Sequence, residues 1–326
     1  MALSVHREEF ASLREEWREL LERQPEPAPF LHPAWQQVWL EEFQDNRELL
    51  LLAVREGEAL LGVAPLLREN GRLSLVGHHS ICDYMDFVVT QERSGEVFAA
   101  LLDALLEEPW AELELRGLRE DSTTLAELPG LAEGAGLVVN REQEAVAPRV
   151  RLVAGWDEYL ASLSKKNRHE LRRKLRRLQA AGNLELQVYT SRDDVEAHLP
   201  RLLRFMVDSR ADKAAFMSEQ MGRFFHRMAG TMAEEGLLRL YELELDAKAV
   251  ASVLCFDFGG QLFLYNSGYD PEYAPLAVGL ISKALCLRDA IESGRHCVDF
   301  MRGDEPYKYD MGGEDLTIYR LAIRRE

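Results

Sequence analysis

Twice in this chain, three apolar runs follow one another with only turn residues between them, and no other feature restricts the fold as much. The first set is "ELLLLAVRE", "ALLGVAPLL" and "GRLSLVG", joined by Gly57 in "REGEA" and by Asn70-Gly71. The second is "LLRLYELEL", "AVASVLCFDF" and "QLFLYNSGY", joined by "DAK" and by Gly259-Gly260. Links this short join antiparallel neighbours, because a parallel connection needs a dozen or more residues. Each set therefore predicts an antiparallel meander.

The segments around the meanders also repeat in order. In the first half, apolar spacing predicts helices over 7–23 and 33–43. Phe10, Leu13, Trp17, Leu20 and Leu21 share one face of the first, and "PEPAPF" breaks it. After the meander come a strand "YMDFVV", a helix at 95–107, a strand "AELELRG", a helix near 122–134, and strands near 137–141 and 147–153. In the second half a basic helix, a strand "LELQVYT" and helices near 193–210 and 218–235 lead into the meander. A helix at 275–293, a strand "HCVDFM", a loop "RGDEPYKYDMGGE" and a strand "LTIYRLAI" close it. The halves share element order without residue identity, as a diverged duplication would. The expected architecture is α/β (α+β): two tandem domains, 1–152 and 153–326, each a mixed, largely antiparallel sheet flanked by helices. A length of 326 residues is enough for two separate cores.

Charge separates the halves. Residues 1–150 carry 13 Arg, no Lys and 29 Asp/Glu, a net of −16, against a net of −17 for the whole chain. An acidic first half is a poor surface for nucleic acid, and DNA is not an expected partner. The reversal is local: "SLSKKNRHELRRKLRRL" holds eight Lys/Arg and one Glu. Leu171, Leu175 and Leu178 form a core stripe there, with Lys165, Lys166, His169, Arg172, Arg173, Arg176 and Arg177 off it. That basic face is either solvated against acidic surface of the same molecule, a guide for a phosphate-bearing ligand, or a contact for an anionic membrane. Arg168 continues the apolar stripe, so it is expected to meet a carboxylate or reach into a cleft. No apolar run reaches the roughly 18 residues of a membrane span, and the first residues lack a secretory h-region. A cytoplasmic location is expected. The four cysteines lack metal-ligand spacing and read as small buried hydrophobes, and no metal is expected.

Three stretches resemble the GNAT acyltransferase superfamily, in its double-domain FemAB-like and BioF2-like (CelD-type) branch. They are the basic run "SLSKKNRHELRRKLRRLQAAG", the segment "YNSGYDPEYAPLAVGLISKAL", and "VDFMRGDEPYKYDMGG", similar to an Asp-Phe-x-x-Gly-x-x-x-Tyr-Lys signature. "GHHSICDYMDFVV" resembles a less specific family stretch. The resemblance implies direct transfer of an acyl group from acyl-CoA (acetyl-CoA) as co-substrate to an amine, without a covalent enzyme intermediate. Its acceptor would be a small molecule or a glycan or cell-envelope precursor. A second implied activity is aminoacyl-tRNA-dependent, FemAB-like transfer in cell-wall biosynthesis, the one case with tRNA as a partner. A third is a non-catalytic accessory role in exopolysaccharide assembly.

The resemblance also nominates residues. A loop between strand and helix donates backbone N–H groups to the donor's pyrophosphate, which places that contact at Ala277, Val278 and Gly279, with Arg168 nearby. Pro275 is expected to open this helix and so to remove one N–H, and the family's Gln/Arg-x-x-Gly-x-Gly/Ala spacing is absent. Acceptor contacts fall on Asp83, Tyr84, Asn167 and Tyr265. The C-terminal loop gathers Asp299, Arg302, Glu305, Tyr307 and Lys308 at a strand end. Asp299 or Glu305 would be the base, Tyr307 the acid, and Lys308 or Arg302 the charge stabiliser. The competing reading is a structural network in which Asp299 pairs with Arg302 or Lys308.

Overall fold

The computed structural model describes residues 2–325. Internal packing divides the chain into two units, Met1–Val146 with Leu316–Glu326, and Ala147–Asp315. The first unit runs β1 (Ser4–Arg7), α1 (Phe10–Glu22), α2 (Pro33–Phe43), β2 (Glu48–Glu56), β3 (Ala59–Glu69), β4 (Arg72–Leu75), β5 (Val88–Val89), α3 (Ser94–Leu106), β6 (Glu112–Arg119), α4 (Thr123–Gly134) and the start of β7 (Val138–Arg151). β2, β3 and β4 are antiparallel neighbours, with a tight turn in which Asn70 and Gly71 both take positive φ. β4 and β6 are parallel. Trp17, Trp35, Trp39 and Phe98 fill its core.

The second unit runs α5 (Trp156–Ser162), α6 (Lys165–Gln179), β8 (Leu184–Tyr189), α7 (Arg192–Ser209), α8 (Ala211–Phe216), α9 (Glu219–Glu234), β9 (Leu238–Leu245), β10 (Lys248–Phe258), β11 (Gln261–Tyr269), a 3₁₀ turn (Pro271–Leu276), α10 (Val278–Glu292), β12 (Cys297–Asp299) and α11 (Pro306–Asp310). β8, β9, β10 and β11 form antiparallel pairs, and β11 runs parallel to β12. Strand alternation gives the sheet two apolar faces. Leu262 and Leu264 share one core with Leu171 and Leu178 of α6 and with Ile281 and Leu287 of α10. On the other face, the Tyr265 ring lies against Phe256 and against Phe225 of α9.

Both meanders and the mixed, helix-flanked sheets match expectation. The differences are local. Strands expected near 137–141 and 147–153 are one strand, β7, and the C-terminal loop contains α11. The last strand, β13 (Glu314–Arg324), was expected with the second half, but it pairs antiparallel with β6, from Ile318↔Arg119 to Arg324↔Glu112. Its residues from Leu316 onward therefore belong to the first unit. Among the described residues no helix is long and apolar enough to cross a membrane.

Candidate active site

The site of interest in the second unit begins where two parallel strands part. β11 and β12 are in register from Gln261↔Cys297 to Phe263↔Asp299, after which β12 ends and β11 continues to Tyr269. Crevices at the carboxyl ends of such strands are where open α/β sheets place ligands. Here the chain turns through the 3₁₀ segment and enters α10 at Ala277, whose φ of 59° and ψ of 33° lie in the left-handed region. An L-residue there costs roughly 1–2 kcal/mol, and the turn it makes aims the helix start at the crevice.

That start is an anion site in form. The Ala277 carbonyl already accepts from Leu280 and Ile281. No side chain caps the helix, and the amides of Val278 and Gly279 have no partner among the described residues. Unpaired N–H groups and the positive end of the helix dipole favour a phosphate. Pro275 does not open the helix as expected: it lies inside the 3₁₀ turn, ahead of these amides, so its missing N–H takes nothing from them.

A cavity of about 250 Å³ lies here, lined by Tyr269, Ala274, Ala277, Val278, Gly279, Leu280, Lys283 and Tyr307. Gly279 is required by its neighbour, since a Cβ would stand 2.7 Å from Cδ1 of Tyr269. One turn along α10, the Lys283 ammonium donates to the Gly279 carbonyl at 2.8 Å and lies 5.3 Å from the centre of the Tyr307 ring. Burial pushes its pKa down to about 8. The Tyr307 phenol has no hydrogen-bond partner among the described residues. Burial, then the charge of Glu305, raises its pKa, so it keeps its proton at neutral pH.

Tyr307 is held in place by the loop before it. Met301 and Gly303 take φ of 63° and 116°, and the Asp299 carboxylate accepts from the Met301 amide at 2.7 Å. Lys308, only 1% exposed, donates to the carbonyls of Met301 (2.7 Å), Arg302 (2.9 Å) and Gly303 (3.0 Å) and pairs with Glu305 at 2.9 Å. This saturates the ammonium. Lys308 is thereby a staple for the loop rather than an open charge stabiliser, and Asp299 spends one oxygen on a turn amide. Of the five residues nominated in this loop only Tyr307 lines the cavity; Asp299, Arg302, Glu305 and Lys308 do not.

The other nominated residues are placed elsewhere. Arg168 donates to the carbonyls of Ala161 (3.0 Å) and Leu163 (3.4 Å), so backbone oxygens, not the expected carboxylate, satisfy it. The Asn167 amide donates to the N-cap Ser164. Tyr265 faces α9 and does not line the cavity. In the first unit, Tyr84 is 1% exposed, edge-on to Phe30, with Arg119 over its ring, which makes it a core residue. Asp83 is half-buried and does not line the cavity found beside His78 and His79. Asp86 accepts from the Phe87 amide and the Ser122 hydroxyl, Cys82 accepts from the His78 amide, and all four cysteines are buried thiols. No cluster among the described residues has the ligands for a metal.

The basic helix α6 packs its leucines into the core shared with α10 and lies beside the 3₁₀ turn. Glu170 pairs with Arg173 (2.6 Å) and Lys174 (3.7 Å), while Lys165, Lys166, Arg176 and Arg177 are exposed and form no ion pair among the described residues. Sequence reasoning did not single out Tyr269 or Lys283. Lys283 follows Gly279 by four residues, which places it on the same helix face.

Residues 165–309 match the family description "Acetyltransferase (GNAT) domain". Among solved structures, the chain is similar to FemX, at 13% identity and a TM-score of 0.66, covering 97% of this chain and 96% of that one. It is similar to a tandem GNAT protein from the clavulanic acid biosynthesis pathway, at 13% identity and a TM-score of 0.54, covering 99% of each. A protein of unknown function from Bacteroides thetaiotaomicron is 12% identical with a TM-score of 0.58, over 99% of this chain and 100% of that one. Comparison with curated proteins found no match.

Proposed function

Given a chain that carries a GNAT acetyltransferase domain over residues 165–309 and folds as tandem GNAT proteins do, we propose that it transfers an acyl group from acyl-CoA directly to an amine. The observation that carries this reading is one cavity holding the unpaired amides of Val278 and Gly279, the Lys283 ammonium and the unpartnered Tyr307 phenol. The amides suit the donor's diphosphate, and the cavity is large enough for part of the donor only. The acceptor nitrogen adds to the thioester carbon. As the C–S bond breaks, the sulfur takes the phenolic proton of Tyr307, which burial has kept in place. The added nitrogen is then strongly acidic, so a weak base suffices. Glu305, whose charge acts on both Tyr307 and Lys283, takes that proton and returns it through water to the Tyr307 phenolate, which restores both groups.

Thermal unfolding with CoA and acetyl-CoA tests the donor. Ligand at about 100 times its Kd adds roughly 2.7 kcal/mol. A clear rise in Tm supports the reading, and no rise at millimolar thioester refutes it.

One observation favours a second reading, aminoacyl-tRNA-dependent transfer to a cell-envelope precursor as in FemAB-like proteins. The helix that carries the unpaired cations, α6, contacts the same 3₁₀ turn and α10. Each phosphate neutralised adds about 0.7–0.9 to the log–log salt slope, so aminoacyl-tRNA binding that weakens steeply with salt, and weakens less steeply in Arg176→Glu/Arg177→Glu, selects it.

A further inference from the structure

The cations around Tyr307 outnumber the carboxylates available to them. At Gly268 the backbone of α7 comes so close to β11 that a Cβ would stand 2.3 Å from the Met206 amide nitrogen. This contact brings Arg210 and α8, which follow α7 directly, to the carboxyl end of β11. Lys213 of α8 donates there to Asn266 Oδ1 at 2.9 Å and to the Ser267 carbonyl at 3.2 Å. Both acceptors are neutral, and Lys213 forms no ion pair among the described residues. Arg210 holds Asp212 through Nε and Nη2, at 2.9 and 2.6 Å, which leaves Nη1.

The charges of these groups reach the site. Arg210 acts on Tyr307 and Glu305, and Lys213 is pushed down to about 8 by burial first and then by repulsion from Lys283 and Arg210. Four cations, Arg210, Lys213, Lys283 and Lys308, thus share the region with Asp212 and Glu305, and each carboxylate is already engaged by one cation. Lys283 lines the donor cavity and Lys213 does not. A half-buried ammonium without an ion-pair partner is costly, and an anion between Arg210 and Lys213 offsets that cost for Lys213.

We propose that Arg210 and Lys213 form an oxyanion subsite beside Tyr307, and that the acceptor is an amine bearing a carboxylate or a phosphate. The acceptor assignment rests on the acyl-CoA reading above; the anion subsite does not. The alternative source of the anion is the donor's own phosphates.

The test uses the full chain, Lys213→Gln and Arg210→Gln. Inorganic phosphate is titrated calorimetrically with CoA saturating. Transfer from acetyl-CoA is then compared for amino acids and their neutral amides. We expect phosphate binding to weaken at least about tenfold in either variant, the loss of one charged hydrogen bond, with CoA affinity within about twofold. KM should rise for carboxylate acceptors and stay level for amides. Phosphate binding that is absent from the parent protein, or equal in parent and variants, overturns the subsite. A fall in CoA affinity as large as that for phosphate assigns the cations to the donor and overturns the acceptor role. If CoA does not bind but phosphate binding is still lost in Lys213→Gln, the acyl-CoA reading fails and the subsite stands.

Discussion

Replacing Gly279 with alanine tests the proposed donor cavity at a position where a single methyl group meets a defined obstacle. The new Cβ would lie 2.7 Å from Cδ1 and 3.2 Å from Cε1 of Tyr269. Carbon atoms rest at about 3.5 Å or more, so the ring must withdraw by roughly 0.8 Å. Overpacking of this kind costs about 1–3 kcal/mol, while alanine gains up to about 1 kcal/mol over glycine in a helix. A net loss of up to roughly 2 kcal/mol follows, which for a unit of this size lowers Tm by as much as about 8 °C. Because Tyr269 lines the cavity beside the Val278 and Gly279 amides, the shift in Tm produced by CoA should shrink or vanish in the same variant. Gly279→Ala/Tyr269→Leu, which makes room for the methyl group, should recover stability. The assay is thermal unfolding of all three proteins with and without CoA. A single variant that is more stable than the parent, with its CoA response intact, would refute both the packing argument and the placement of the donor.

Tyr307→Phe should lower kcat by about 10²–10⁴ and leave the CoA-induced shift in place, since it removes a proton donor and little volume. Unchanged turnover would remove Tyr307 from the chemistry, and no turnover in either protein would favour the accessory, non-catalytic role. Lys308→Met should destabilise by roughly 3 kcal/mol in urea unfolding, because three carbonyls and Glu305 lose their donor. Full stability with a selective loss of kcat would instead return Lys308 to the chemistry. His32, 1% exposed, caps α2 by accepting from the Ala34 amide at 3.2 Å, and burial pushes its pKa down to about 4. The unfolded chain, with a histidine pKa near 6.5, therefore binds more protons between pH 4 and 6.5. Stability from this group is complete above pH 6.5 and is lost as pH falls toward 4, by about 3 kcal/mol in all. His32→Asn keeps a capping acceptor and should lose correspondingly less stability between pH 7 and 4.5. Parallel curves for the two proteins would count against it.

Periodicity and turn chemistry made the two meanders legible, because both act over a few residues. Asn70-Gly71 and Gly259-Gly260 stand where positive φ is needed, and each meander contains a long apolar strand, β2 in the first and β10 in the second. The destination of β13 was not legible. Its alternating pattern states that it is a strand, and nothing local says that its partner is β6. Pro275 shows the same limit. It is a sound helix-opening residue by local rules, yet the left-handed turn at Ala277 moves the helix start past it.

Two meandering sheets, a basic helix with a leucine stripe, and a cluster of polar residues at one strand end can be read along the chain, since each depends on near neighbours in it. Which of those polar groups face the cavity depends instead on packing between distant segments. Lys308 and Asp299 have the right chemistry, but backbone groups of the loop they fold engage their polar atoms. Tyr307, Lys283 and the amides of Val278 and Gly279 come together through the packing of α10 and α11 at the parted end of β11 and β12. Reactivity in such a site depends on which hydrogen-bonding groups are left without partners, and only the assembled fold fixes that.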